Sequence, residues 1–166
     1  LNGLKIRVQD MKSQTDMLKA LGGTPVAMAM GDVYTALQTG IIDGTENNET
    51  ALTTGMHGEI CKFYSVDQHT MIPDVLVIAT DTWEKLSEED RQLLIDTAKE
   101  STENHIEKWE QAVAEAVETA TNDMGVTFIE DVDKEAFRSA TADMIESYKS
   151  QYPKVGDVLE IINSVE

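Results

Sequence analysis

Three local patterns predict an α/β fold. Apolar residues alternate at residues 4–8, helical spacing recurs over residues 11–21 and 32–40, and a strand signal followed by a helix signal returns after Gly125. Leu4, Ile6 and Val8 alternate with Lys5 and Arg7, the period of a strand with one buried face. Arg7 is therefore expected on the opposite, polar face near the strand's end. Met11, Met17, Leu18 and Leu21 suit a helix that stops at Gly22 and Gly23, and Pro25 opens an extended VAMAM stretch. A second helix runs from about Asp32 through Val33, Ala36 and Leu37 to Gly40. Ile41 and Ile42 then form a short buried segment.

Residues 49–60 read as partly helical. TMIPDVLVIATD reads as a strand whose continuous VLVIA run predicts burial on both faces. Ser87 followed by Glu88, Glu89 and Asp90 is a helix start, with acidic groups at the positive end of the dipole. From there Leu94, Ala98, His105, Trp109, Val113, Ala116 and Ala120 recur at helical spacing up to Gly125. Such a helix, about 54 Å long at about 1.5 Å per residue, exceeds a compact domain whose expected radius of gyration is roughly 15 Å. Part of it is expected to pack against something outside these residues. Val126, Phe128 and Ile129 suit a strand, residues 133–150 an amphipathic helix, and VGDVLEIIN a short last helix.

Thirteen basic against 31 acidic residues give a net charge of −18, a field that repels nucleic acid and anionic membrane surfaces. A single well-placed Arg can still hold a small anion. No apolar run approaches the roughly eighteen residues of a membrane helix. The lone Cys61 has no partner for an intramolecular disulfide and reads as a small buried hydrophobe in a helix. Trp83 and Trp109 read as core anchors.

In GIIDGTENNET, residues 40–50, Asp43, Thr45 and Asn47 alternate as calcium ligands do. An EF-hand needs Gly sixth and Glu twelfth from Asp43, where this chain has Asn48 and Thr54. His57, Glu59 and Cys61 are spread around a helix and make no HExxH. GxSxG is absent, and Gly22 and Gly23 follow a helix instead of opening one, so neither a nucleophile elbow nor a phosphate cradle is indicated. No metal and no cofactor are expected. Arg7 offers paired N–H donors suited to a carboxylate, at the strand end where open α/β sheets bind ligands. By spacing alone Arg7 is also an ordinary surface charge and Asn47 an ordinary turn residue.

GLKIRV, then LGGTPVAMAMGDVYTALQTGIIDGTENN, then TWEKLSEEDRQLL resemble the DctP-type extracytoplasmic solute-binding proteins of tripartite ATP-independent periplasmic (TRAP) transporters. The resemblance implies a periplasmic-binding-protein-like α/β fold, two lobes around a cleft with a long lobe-spanning helix. Here it covers mainly the second lobe and looks like a C-terminal portion. It assigns residues 1–72 and 113–166 to the second lobe, and residues 73–112 to a strand and helix that cross into the first.

By the same resemblance Arg7 falls on the carboxylate-clamping Arg, and Asn47 on an Asn that contacts the ligand. Met30 stands where an aromatic residue packs on it. Asp10 is near a position that is Asn in sialic-acid binders, so sialic acid is not expected and Asp10 instead accepts from ligand hydroxyls. Asn48 and His69 add polar contacts, and the DGxENN variant leans toward sugar acids such as glucuronate and galacturonate. The implied protein is periplasmic, is no enzyme, and hands a small carboxylate to TRAP membrane subunits. The competing expectation is an interaction module that self-associates through surfaces left by a missing lobe.

Overall fold

The structure, a computed structural model, describes residues 1–165; the last residue of the expected return segment, Glu166, lies outside them. The first half of the chain builds a three-stranded parallel sheet from β1 (Lys5–Val8), β2 (Thr24–Ala27) and β3 (Gly44–Thr45), in the order β2-β1-β3. Arg7 pairs with Val26 on one side and Thr45 on the other. The crossovers are α1 (Lys12–Ala20) and α2 (Met30–Gln38). One steps from β1 to its left neighbour and the other returns across β1. The right-handed rule for such connections places the two helices on opposite faces.

That topology corrects the expected one-faced strand. Adjacent strand residues point to opposite faces, yet Arg7 is 3% exposed and Val8 0%. Both faces of β1 are covered at its C-terminal end, as in parallel sheets generally. Leu4, expected inside, is exposed, and Ile6 is half-buried. Pro25 is tolerated within β2 because that strand is an edge and needs no second ladder. Both helices end as the sequence indicates. The amides of Gly22 and Gly23 donate to Lys19 and Leu18, and those of Gly40 and Ile41 to Leu37 and Ala36. Gly22 and Gly40 carry the positive φ this closure requires.

A short α3 (Ala51–Thr54) and a 3-10 turn at His57–Glu59 lead to β4 (Phe63–Ser65). After α4 (Thr80–Trp83) comes α5 (Glu88–Asn122). The chain then forms β5 (Thr127–Ile129), parallel to β4, and ends with α6 (Lys134–Gln151) and α7 (Pro153–Asn163). One core cluster joins Val33, Ala36, Leu37 and Ile42, with Val26, Met28, Ile60 and Cys61 against it. A second joins Leu52, Ala120 and Val126, with Tyr64, Met124 and Phe128. Of the expected pair only Ile42 is buried; Ile41 faces outward. Cys61 is half-buried and follows the 3-10 turn instead of lying in a helix.

The segment expected as a strand at TMIPDVLVIATD forms none, and Met71, Val75, Leu76 and Val77 are all exposed. A strand exists by pairing, and no described strand lies beside this one. The long helix is present over 35 residues, with Ser87 capping it through a hydrogen bond from the Asp90 amide to its Oγ. It buries only Ala116 and Ala120, near its C-terminal end. Leu93, Leu94, Ile95, Ile106 and Trp109 are exposed, so Trp109 is no core anchor within these residues.

Two substitutions test this frame. Ile42→Ala is expected to cost about 2–5 kcal/mol, the usual range for such a cavity, read from the urea midpoint. Gly40→Ala meets no steric neighbour, so its expected cost of about 1 kcal/mol comes from the left-handed φ alone.

Candidate functional site

The C-terminal ends of β1, β2 and β3 lie side by side, and the chain segments leaving them carry Asp10, Met28 to Met30, and Glu46 to Asn48. The order of strands reverses at β1, which makes this edge the crevice where doubly wound sheets place ligands. Arg7 is at its centre, buried, with Nε and Nη2 both donating to the Met28 carbonyl at 3.0 and 2.9 Å. Nη1 has no partner among the described residues. A guanidinium removed from water needs such pairing, and the carbonyl fixes its plane.

Asn47 is held from three directions. Its Oδ1 accepts from the Asn48 amide at 2.9 Å, and its carbonyl accepts from the Tyr64 hydroxyl at 3.0 Å. Its Nδ2 lies 3.6 Å from the Met30 sulfur. Burial pushes the Tyr64 phenol upward, so that hydroxyl stays a donor. The structure thus brings Arg7, Met30 and Asn47 to one edge. Asn48 is exposed, and its side chain caps the Thr50 hydroxyl at 2.6 Å. Asp10 stands exposed just before α1, with no hydrogen bond among the described residues.

His69 follows β4 on a turn that uses the left-handed backbone of Gln68. Its Nδ1 is 2.6 Å from Asp67 Oδ1, while Nε2 lies 3.7 Å from Glu46 Oε2, an ion-pair distance beyond hydrogen-bond reach. The hydrogen bond to Asp67 first, and then the nearby Glu46 carboxylate, push the imidazole up to about 9, so the ring is cationic at neutral pH.

Sequence reasoning missed His57. It is 2% exposed, and burial first, then the charge of Arg7, pushes its imidazole down, so it stands neutral near the guanidinium. Gly55 explains how it fits. A Cβ there would lie 2.9 Å from the Ala51 carbonyl, 3.0 Å from His57 Nε2 and 3.1 Å from the Met30 methyl. The glycines on either side of Met56-His57 were the available signal, since Gly58 is equally tight, 2.7 Å from the Met124 sulfur. His57, Asn47, Asn48 and Tyr64 also line a cavity of about 340 Å³ between β3 and β4, over an apolar floor of Ile42 and Leu52. Among the described residues no group of three His, Cys, Asp or Glu side chains gathers as a metal ion would require.

Residues 1–151 match the family described as bacterial extracellular solute-binding protein, family 7, DctP. The chain is 40% identical over 151 residues to the uncharacterized protein YiiZ of Salmonella typhimurium, covering 91% of this chain and 46% of that protein. It superposes on a TRAP periplasmic solute-binding protein of Anaerococcus prevotii with bound D-glucuronate. There the TM-score is 0.91 at 41% identity, over 98% of this chain and 52% of the other. A Chromohalobacter salexigens TRAP protein, also with D-glucuronate, gives 0.93 at 32% identity, over 99% and 55%. The chain therefore spans about half the length of the relatives it matches.

The neutral His57 sets a pH dependence. Its folded form resists protonation while the unfolded ring titrates near 6.5, so the unfolded state binds the extra proton and stability falls as pH drops below that value. His57→Gln is expected to flatten this limb of the urea midpoint between pH 7 and 5. Gly55→Ala, by contrast, is expected to lower stability at every pH by about 1–3 kcal/mol.

Proposed function

This chain belongs to the DctP family of bacterial extracellular solute-binding proteins, family 7, and from that premise we propose that it forms the carboxylate-holding lobe of a periplasmic TRAP binding protein for sugar acids. The observation that carries this is the buried Arg7 guanidinium, pinned by the Met28 carbonyl at the crevice with Nη1 unpaired among the described residues. A uronate carboxylate takes the outer edge of the guanidinium through Nη1 and the second Nη2 hydrogen, a charge-assisted fork that Lys lacks. Asn47 supplies a polar contact, and the Met30 thioether, an apolar face for the sugar ring.

No bond is made or broken in this scheme. The other lobe closes over the solute, and the closed form hands it to TRAP membrane subunits driven by an ion gradient. Residues 73–112 are the part of the chain that crosses to the other lobe. Support comes from the exposed apolar residues at 71–78 and along the first half of α5, which is where a covering lobe is needed. Self-association is the competing occupant of that surface, and light scattering separates the two. A monodisperse monomer is expected from a chain joined to its other lobe.

Thermal-shift screening against uronates, keto acids and dicarboxylates tests the ligand class. D-Glucuronate and D-galacturonate are expected to raise the midpoint in a concentration-dependent way. By calorimetry Arg7→Ala is expected to weaken binding by about a hundredfold or more, equivalent to losing about 3 kcal/mol or more. Unchanged affinity in that variant would sink the clamp.

A further inference from the structure

His69 is remote from Arg7 in sequence, yet it links two segments that meet at the crevice. The first is the Glu46–Asn48 loop leaving β3, which the Glu46 amide joins to the Arg7 carbonyl at 3.4 Å. The second is the stretch leaving β4, fixed where the Val66 amide donates to the Ile129 carbonyl at 2.9 Å. It is fixed again where Lys134 of α6 donates to Gln68 Oε1 at 2.6 Å. The ring lies between Asp67 of its own turn and Glu46 of the other segment, and its Nε2 is sealed from solvent. Nδ1 is committed to Asp67, while Nε2 has no hydrogen-bond partner among the described residues and faces the Glu46 carboxylate 3.7 Å away, out of reach of a solute arriving from solvent.

We propose that His69 is a positioning residue and not a ligand contact: held by Asp67 and drawn toward Glu46, it locks the loop that carries Asn47 against the segment leaving β4. The proposal rests on the reading of Asn47 as a solute contact. It replaces the direct polar contact expected of His69 from sequence. Its charge makes the lock sensitive to pH. A ring pushed up to about 9 holds the two carboxylates through neutral pH and releases them as pH rises through that value. The same two carboxylates, with Glu49 ahead of α3, also act on Tyr64, which burial first keeps protonated, and Lys134 reaches the His69 turn through Gln68. Neutralising the ring therefore loosens Glu46 first, and Asn47 is its neighbour in the chain.

An NMR pH titration reads this directly. The His69 ring is expected to titrate near 9 and the Asn47 backbone amide to follow with the same midpoint. Glu46→Gln and Asp67→Asn are each expected to lower the ring midpoint, and Glu46→Gln to uncouple the Asn47 amide from it. The His57 resonances stay unmoved in both. A His69 midpoint below 7, or an Asn47 amide indifferent to it, overturns the proposal, and these two variants carry the test even where His69→Gln does not fold. In calorimetry D-glucuronate affinity is expected to fall roughly threefold to tenfold as pH passes 9, the weight of one coupled pair, and to stay level in Glu46→Gln. Equal pH profiles in the two proteins count against the lock. If the unmutated protein binds no uronate at any pH, the solute reading fails alone, and the NMR titration decides the positioning role.

Discussion

The paired hydrogen bonds from Arg7 to the Met28 carbonyl are the constraint on which the candidate site depends. A cation on the central strand of a doubly covered parallel sheet has lost its water, and leaving it unpaired would cost several kcal/mol. The carbonyl that satisfies it comes from the residue just past β2, so the strand register that brings Arg7 beside Val26 also delivers the partner. This arrangement uses two donors and leaves part of the fork for an anion. The charge is therefore prepared before any solute arrives, which lowers the cost of ordering on binding. Neutral His57 fits the same logic: its own burial first, and then the guanidinium beside it, disfavour a second cation.

The rest of the crevice is built outward from that pair. Met30 opens α2 directly after the carbonyl, Asn47 follows β3, and Tyr64 of the second sheet holds the Asn47 backbone. Gly55 has no side chain because His57 and Met30 occupy the space one would need. The two histidines that border the site differ in charge for a physical reason: His57 is buried beside a cation, His69 among carboxylates. Stability is then eroded by His57 on the acid side of about 6.5, and by His69 as pH rises toward about 9.

Most of the fold was legible because its signals are local. Glycine stops, the Ser87 cap and the 3.6-residue period of α5 need no knowledge of distant residues. Burial of Arg7 was not legible. Alternation in a four-residue strand distinguishes the two faces but cannot say that a returning crossover covers both. VLVIA failed for the opposite reason: its composition describes a buried strand, while pairing is a property of neighbours, and none is present among the described residues. His57 and the Glu46–His69 link were hidden because each depends on segments brought together only by the sheet order. The motif resemblance marked Arg7, Met30 and Asn47, which do converge. It also marked Asp10 and Asn48, which like Met30 stand exposed near that edge, and His69, whose ring is turned inward.

The apolar surface left open at residues 71–78 and along α5 is where the proposed reading places a second lobe over the crevice. In that reading this chain contributes the charged wall around Arg7. A crystal structure with D-glucuronate bound tests that most directly. The account predicts the carboxylate oxygens about 2.7–2.9 Å from Arg7 Nη1 and Nη2, with the Met28 bonds intact. A sugar acid whose carboxylate lies elsewhere, with Arg7 facing only protein, would contradict it.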